Sequence, residues 1–88
     1  MKTDSTEVVN KLGIHARPAA QIVKTASNYD STVNLTVEGI TVNAKSIMGV
    51  MTLAACRGTT ILVHAEGEDE ERAVGALIEL IRNGFGEE

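Results

Sequence analysis

Tryptophan is absent from this 88-residue chain, which has one phenylalanine, one tyrosine, one proline and one cysteine. The lone Cys56 cannot form an intramolecular disulfide, and a single thiol suits a reducing compartment. No apolar run approaches the ~20 residues needed to cross a bilayer, and no signal peptide is read at the start. The expectation is therefore a cytoplasmic protein without membrane insertion. Basic residues are few: eight Lys and Arg stand against twelve Asp and Glu, for a net charge of -4. They are also scattered, which argues against nucleic acid as a main partner, because phosphate backbones require clustered cations. Two distant histidines and one cysteine offer no metal-ligand spacing, so no metal or cofactor is expected. What remains, 43% hydrophobic and 23% charged, is ordinary globular composition in a chain sized for one small core.

Against that background one stretch concentrates chemistry: Leu12-Gly13-Ile14-His15-Ala16-Arg17-Pro18. Apolar residues at Ala19, Ile22, Val23 and Ala26 have the spacing of one helical face, and Pro18 suits a first turn whose N–H groups need no partner. The helix is expected to run to about Ser27, with His15 at its mouth. Free N–H groups and the positive end of the macrodipole favour an anion there, and Arg17 could hold two phosphate oxygens. An ordinary imidazole, with a pKa of about 6.5, is largely a free-base nucleophile near pH 7. Gly13 would give the ring freedom to turn, and no general base is visible to activate a hydroxyl instead. Covalent capture of a phosphoryl group is one reading of His15. A polar residue beside an N-cap is the other, and spacing alone does not choose between them.

The rest of the chain reads as alternating short elements. Residues Met1 to Asn10 are expected to hold a first strand centred on Val8 and Val9. Val33, Leu35 and Val37 alternate with Asn34 and Thr36 as a half-buried strand, and Glu38-Gly39 turns it into a partner carrying Ile40 and Val42. Ser46 stands where an N-cap belongs, ahead of a short helix with Ile47, Met48, Val50, Met51 and Leu53. That helix is apolar almost all round, so some of it must face water. Val50 and Leu53 are the expected core pair. Ile47, Met48 and Met51 are either further core or an exposed docking patch. In the last strand Ile61, Val63 and Ala65 point one way, and Leu62 and a solvated His64 the other. The acidic run Glu68-Asp69-Glu70-Glu71 complements the start of a final helix with Val74, Leu77, Ile78 and Ile81 on its buried face. Arg82 and Gly84 stop that helix, and a short tail follows. Cys56 is expected to be buried or half-buried and chemically inert. The order β-α-β-β-α-β-α fits an α+β fold with helices covering one face of a sheet.

Gly13-Ile14-His15-Ala16-Arg17-Pro18-Ala19-Ala20 resembles the active-site signature of HPr, the histidine-containing phosphocarrier of the bacterial phosphoenolpyruvate-dependent sugar phosphotransferase system. Lys45-Ser46-Ile47-Met48-Gly49-Val50-Met51 resembles the second signature of that family, at a fitting separation. The resemblance covers nearly the whole chain and implies a single HPr-like domain over residues 1–88. It implies an open-faced β-sandwich, with a four-stranded antiparallel sheet and three helices on one face. It further implies that His15 accepts a phosphoryl group from enzyme I on Nδ1, as a pros-phosphohistidine, assisted by Arg17, and passes it to enzyme IIA domains. Ser46 would be the regulatory phosphoserine, a target of HPr kinase/phosphorylase. Ile47, Met48 and Met51, with Ala16 and Ala20 of the first helix, would dock the partners of a monomeric carrier that is not itself an enzyme. Asn10-Lys11-Leu12-Gly13 and the tail Asn83-Gly84-Phe85-Gly86-Glu87-Glu88 look more like the nitrogen-related carriers, NPr. The branch, sugar uptake or a regulatory relay, thus stays open. A non-catalytic regulatory module is disfavoured because such relatives lack the histidine. A small-ligand domain is disfavoured because neither a glycine-rich cradle nor an aromatic pocket is apparent.

Overall fold

The computed structural model describes residues 1–87. The chain forms β1 (Lys2–Glu7), α1 (Ala16–Ala26), β2 (Thr32–Val37), β3 (Ile40–Asn43), α2 (Ile47–Met51), β4 (Thr60–Glu66) and α3 (Glu70–Arg82), then a 3-10 turn over Gly84–Gly86. All strand pairs are antiparallel, in the order β1-β4-β2-β3. Strict alternation sets the register. Leu35 lies opposite Val63 and Val33 opposite Ala65, so the buried sets of β2 and β4 meet on one face. On the other face Thr36 Oγ1 is 2.7 Å from Thr41 Oγ1 and 3.0 Å from His64 Nε2. His64 is accordingly half-buried in a cross-strand polar cluster rather than free in solvent.

Helix α3 lies across β1, β4 and β2, and α1 packs beside it and against α2. Pro18, Ala19, Ile22 and Ala26 of α1 are buried, as are Ala73, Val74, Leu77, Ile78 and Ile81 of α3. Each large side chain removed from water in this way contributes about 1.5–3 kcal/mol. Val50 and Leu53 join the core, whereas Ile47, Met48 and Met51 are exposed at 43%, 78% and 46%. The result is an open-faced α+β sandwich.

Three further local expectations are corrected. The first strand lies within Met1 to Asn10 as expected but is centred upstream of Val8 and Val9, because its pairing with β4 is made by backbone groups and tolerates the polar run Lys2–Glu7. Val8 caps the ladder instead: its N–H donates to the Thr59 carbonyl and its carbonyl accepts from Gly58 N–H, at 2.9 and 2.8 Å. Cys56 is exposed, in the turn before β4, where Thr59 Oγ1 accepts from its backbone N–H at 3.2 Å. The residues after α3 are more than a tail, because Phe85 is buried there; Glu88 lies outside the described residues.

The acidic run stands at the start of α3 as expected, with Glu70 and Glu71 in its first turn, but Asp69 at the N-cap makes no side-chain capping bond. Its carboxylate reaches back to accept from the Ser31 hydroxyl and from the backbone N–H groups of Asp30 and Ser31, the latter two at 2.9 and 3.0 Å. These bonds, the Ser31 hydroxyl first, hold its pKa down from 3.8 to about 2. The folded value is the lower one, so this stability is complete above 3.8 and lost as pH falls through about 2. Urea midpoints measured across that window should fall more steeply for the parent than for Asp69→Asn.

Candidate functional site

The site is built where the loop after β1 meets the start of α1. Asn10, 2% exposed, closes that loop: its carbonyl accepts from Gly13 N–H at 3.2 Å, and its Nδ2 donates to the Gly13 carbonyl at 2.7 Å. Gly13 has φ +70 and lies against the 54–56 backbone, where an added Cβ would come within 2.4 Å of the Ala55 oxygen. Its role is therefore a close approach of two chains, not freedom for the ring. Ile14 N–H donates to that same Ala55 oxygen at 2.8 Å and fixes the approach to the helix.

His15 is the N-cap residue of α1. Its backbone is extended and its carbonyl accepts from Ala19 N–H at 2.9 Å, but its side chain makes no capping bond. The imidazole is thus left for another use. The N–H groups of Ala16 and Arg17 have no helical carbonyl ahead of them, and no acidic residue occupies the first turn. Ala16, Arg17 and Ala20 are all exposed. His15 and Arg17 line one shallow recess with Lys11, Leu12 and Glu87. Among the described residues no group of His, Cys, Asp or Glu is arranged to hold a metal ion, and no helix is long and apolar enough to cross a membrane.

Two members of the site were not foreseen as such, Asn10 and Glu87. Glu87 Oε2 lies 3.0 Å from His15 Nε2, and its Oε1 accepts from Asn10 Nδ2 at 3.0 Å. The left-handed backbone at Gly84, Phe85 and Gly86 curls the chain so that Glu87 returns to the loop, with Phe85 as the buried anchor. No periodic pattern joins residues this far apart. The one sequence signal was that both segments, Asn10–Gly13 and the tail, depart together from the sugar-system pattern.

Ser46 and its neighbours form a separate group. The Ser46 Oγ accepts from Gly49 N–H at 3.1 Å and caps α2 as expected. α2 packs against α1, and the side chains of Ile47, Met48 and Met51 remain exposed.

Comparison with known proteins agrees with this geometry. Residues 2–83 match the family model described as PTS HPr component phosphorylation site. The phosphocarrier protein HPr of Xylella fastidiosa is 54% identical over 81 residues, covering 92% of this chain and 91% of that protein. A crystal structure of HPr from Thermoanaerobacter tengcongensis superposes with a TM-score of 0.95 at 49% identity, covering 100% of this chain and 99% of the other. An HPr dimer from the same bacterium has a TM-score of 0.79 at 48% identity, covering 99% and 100%. The open-faced sandwich is the fold these structures share with this chain. The chain belongs to the HPr family of phosphocarriers.

Proposed function

We propose that the protein relays a phosphoryl group between partner proteins through His15. Enzyme I, phosphorylated by phosphoenolpyruvate, transfers the group to His15 Nδ1, and His15 delivers it to an enzyme IIA domain. One N–P bond breaks as the other forms, so the transfer energy is retained, and docking holds donor and acceptor in line. Arg17 neutralises the moving charge with its two-pronged guanidinium, and the α1 N–H groups favour the phosphoryl oxygens. The observation that carries this reading is the half-buried His15 imidazole at the helix start, not used as a cap and lining one recess with Arg17. The chain acts as a co-substrate of the phosphotransferases, in the cytoplasm, as a monomer and without a cofactor. Incubation with enzyme I and phosphoenolpyruvate tests it: one acid-labile phosphoryl group per chain is expected.

Regulation is proposed at Ser46, phosphorylated by HPr kinase/phosphorylase. The docking face comprises Ile47, Met48 and Met51 with Ala16 and Ala20, all exposed. A phosphate would put about two negative charges beside it, opposing an acidic donor surface suited to Arg17. Ser46→Asp should therefore keep or slightly raise thermal stability, since aspartate still caps α2, while His15 phosphorylation by enzyme I slows at least several-fold. Unchanged kinetics in a folded Ser46→Asp protein would leave Ser46 as a plain cap.

A further inference from the structure

We propose that Glu87 is a positioning residue for His15, fixing which ring nitrogen attacks and holding the ring as a cation while it carries phosphate. The inference rests on the reading of His15 as the phosphoacceptor. A carboxylate has only acceptors to offer, so the 3.0 Å contact between Glu87 Oε2 and His15 Nε2 requires the hydrogen to sit on Nε2. A neutral imidazole has one ring hydrogen, and Nδ1 is then the bare lone pair. The carboxylate is itself held, because Oε1 accepts from Asn10 Nδ2 at 3.0 Å. The second Asn10 amide hydrogen goes to the Gly13 carbonyl at 2.7 Å, which fixes the orientation of the amide. That orientation leaves Asn10 Oδ1 buried without a partner among the described residues, while both amide hydrogens are committed.

The pair is more than a solvated surface contact. The Glu87 side chain is 18% exposed and that of His15 37% exposed, and both carboxylate oxygens are engaged. When Nδ1 forms its bond to phosphorus, the bond to the donor breaks and its electron pair leaves with the donor nitrogen. The Nε2 hydrogen stays in place. The His15 ring thereby becomes cationic, and the Glu87 carboxylate is its counter-ion. On delivery the N–P electron pair returns to Nδ1, a departure that a cationic ring makes easier, and the neutral Nε2–H tautomer is restored. The proton need not move at either step, an arrangement in which the carboxylate orients the imidazole and stabilises its cation.

Nitrogen-15 spectra of histidine-labelled protein, combined with rapid-quench transfer from phosphorylated enzyme I, provide the test. In the parent, His15 should show an Nε2–H signal protected from solvent exchange and a bare Nδ1. Glu87→Ala should lose that protection and transfer about tenfold more slowly, with unchanged circular dichroism and thermal midpoint. Glu87→Gln, which keeps an oxygen acceptor but no charge, should retain the protected signal and show an intermediate rate. A hydrogen on Nδ1 in the parent, or a Glu87→Ala protein matching the parent in both exchange and rate, overturns the proposal. If the parent has the protected Nε2–H but takes no phosphate, the carrier reading fails and Glu87 retains only its structural contact.

Discussion

A His15→Ala protein should take up no phosphoryl group from enzyme I and phosphoenolpyruvate, under conditions where the parent takes up one. The fold should survive, because the His15 side chain caps nothing and its described polar contact is with Glu87 near the chain's end. His64→Ala should accept phosphate like the parent. The two imidazoles differ in surroundings: His64 Nε2 is tied to Thr36 on the sheet, with no helix start or arginine in its cluster, whereas His15 opens α1 two residues before Arg17. Radiolabel incorporation followed by acid treatment reads the outcome directly. Any acid-labile label on His15→Ala, or its loss from His64→Ala, would show that the acceptor has been assigned to the wrong residue.

Gly13→Ala should be strongly destabilising for so small a substitution. With φ +70, an alanine there incurs about 1–2 kcal/mol of backbone strain. Its Cβ would also lie 2.4 Å from the Ala55 oxygen and 2.8 Å from Cys56 Cα, backbone atoms that cannot swing aside like a side chain. Overpacking of this kind costs about 1–3 kcal/mol, and moving Ala55 also strains its bond from Ile14 N–H. A total of roughly 3–4 kcal/mol lowers the melting temperature of a chain this size by on the order of 15 °C. Gly58→Ala separates the two contributions, since φ is +91 there but nothing lies within 4 Å of the added carbon. It should lose only the strain component. Equal thermal midpoints for the two variants would rule out the close approach as the reason for Gly13.

Alternation and helical spacing foretold the elements whose side chains decide their place. Val33, Leu35 and Val37, the β4 set, and both long helices face as their patterns require. Where the backbone alone makes the bonds, as in the polar run of β1, apolar residues pointed a few positions downstream. The α2 ambiguity was real: a helix this short can bury only part of its surface, and the pattern could not say which residues α1 would cover. The placement of His15, Arg17 and Ser46 at helix starts was legible, because Pro18 and the apolar spacing mark the start of α1 and Ser46 is a preferred cap. Glu87 was not, because a carboxylate in a glycine-rich tail looks like solvated charge until the curl through Phe85 is known. The contacts of Asp69 with the Asp30–Ser31 turn were not legible for a related reason. Acidic residues before a helix suit its dipole, and nothing local reveals that this one reaches back to Ser31.

The position of β4 between β1 and β2 fixes an order of events during synthesis. β1 leaves the ribosome first yet has no strand to pair with until residues 60–66 follow, so its backbone groups remain hydrated while most of the chain is made. The hairpin of β2 and β3 can form early, from contacts only a few residues apart, whereas the sheet closes when β4 inserts between its two waiting neighbours. α1 can take shape before that closure, but the partner of its opening imidazole is made 72 residues later. The nascent protein therefore displays His15 long before it holds the ring in place, and the reactive orientation is acquired only as the described chain nears its end.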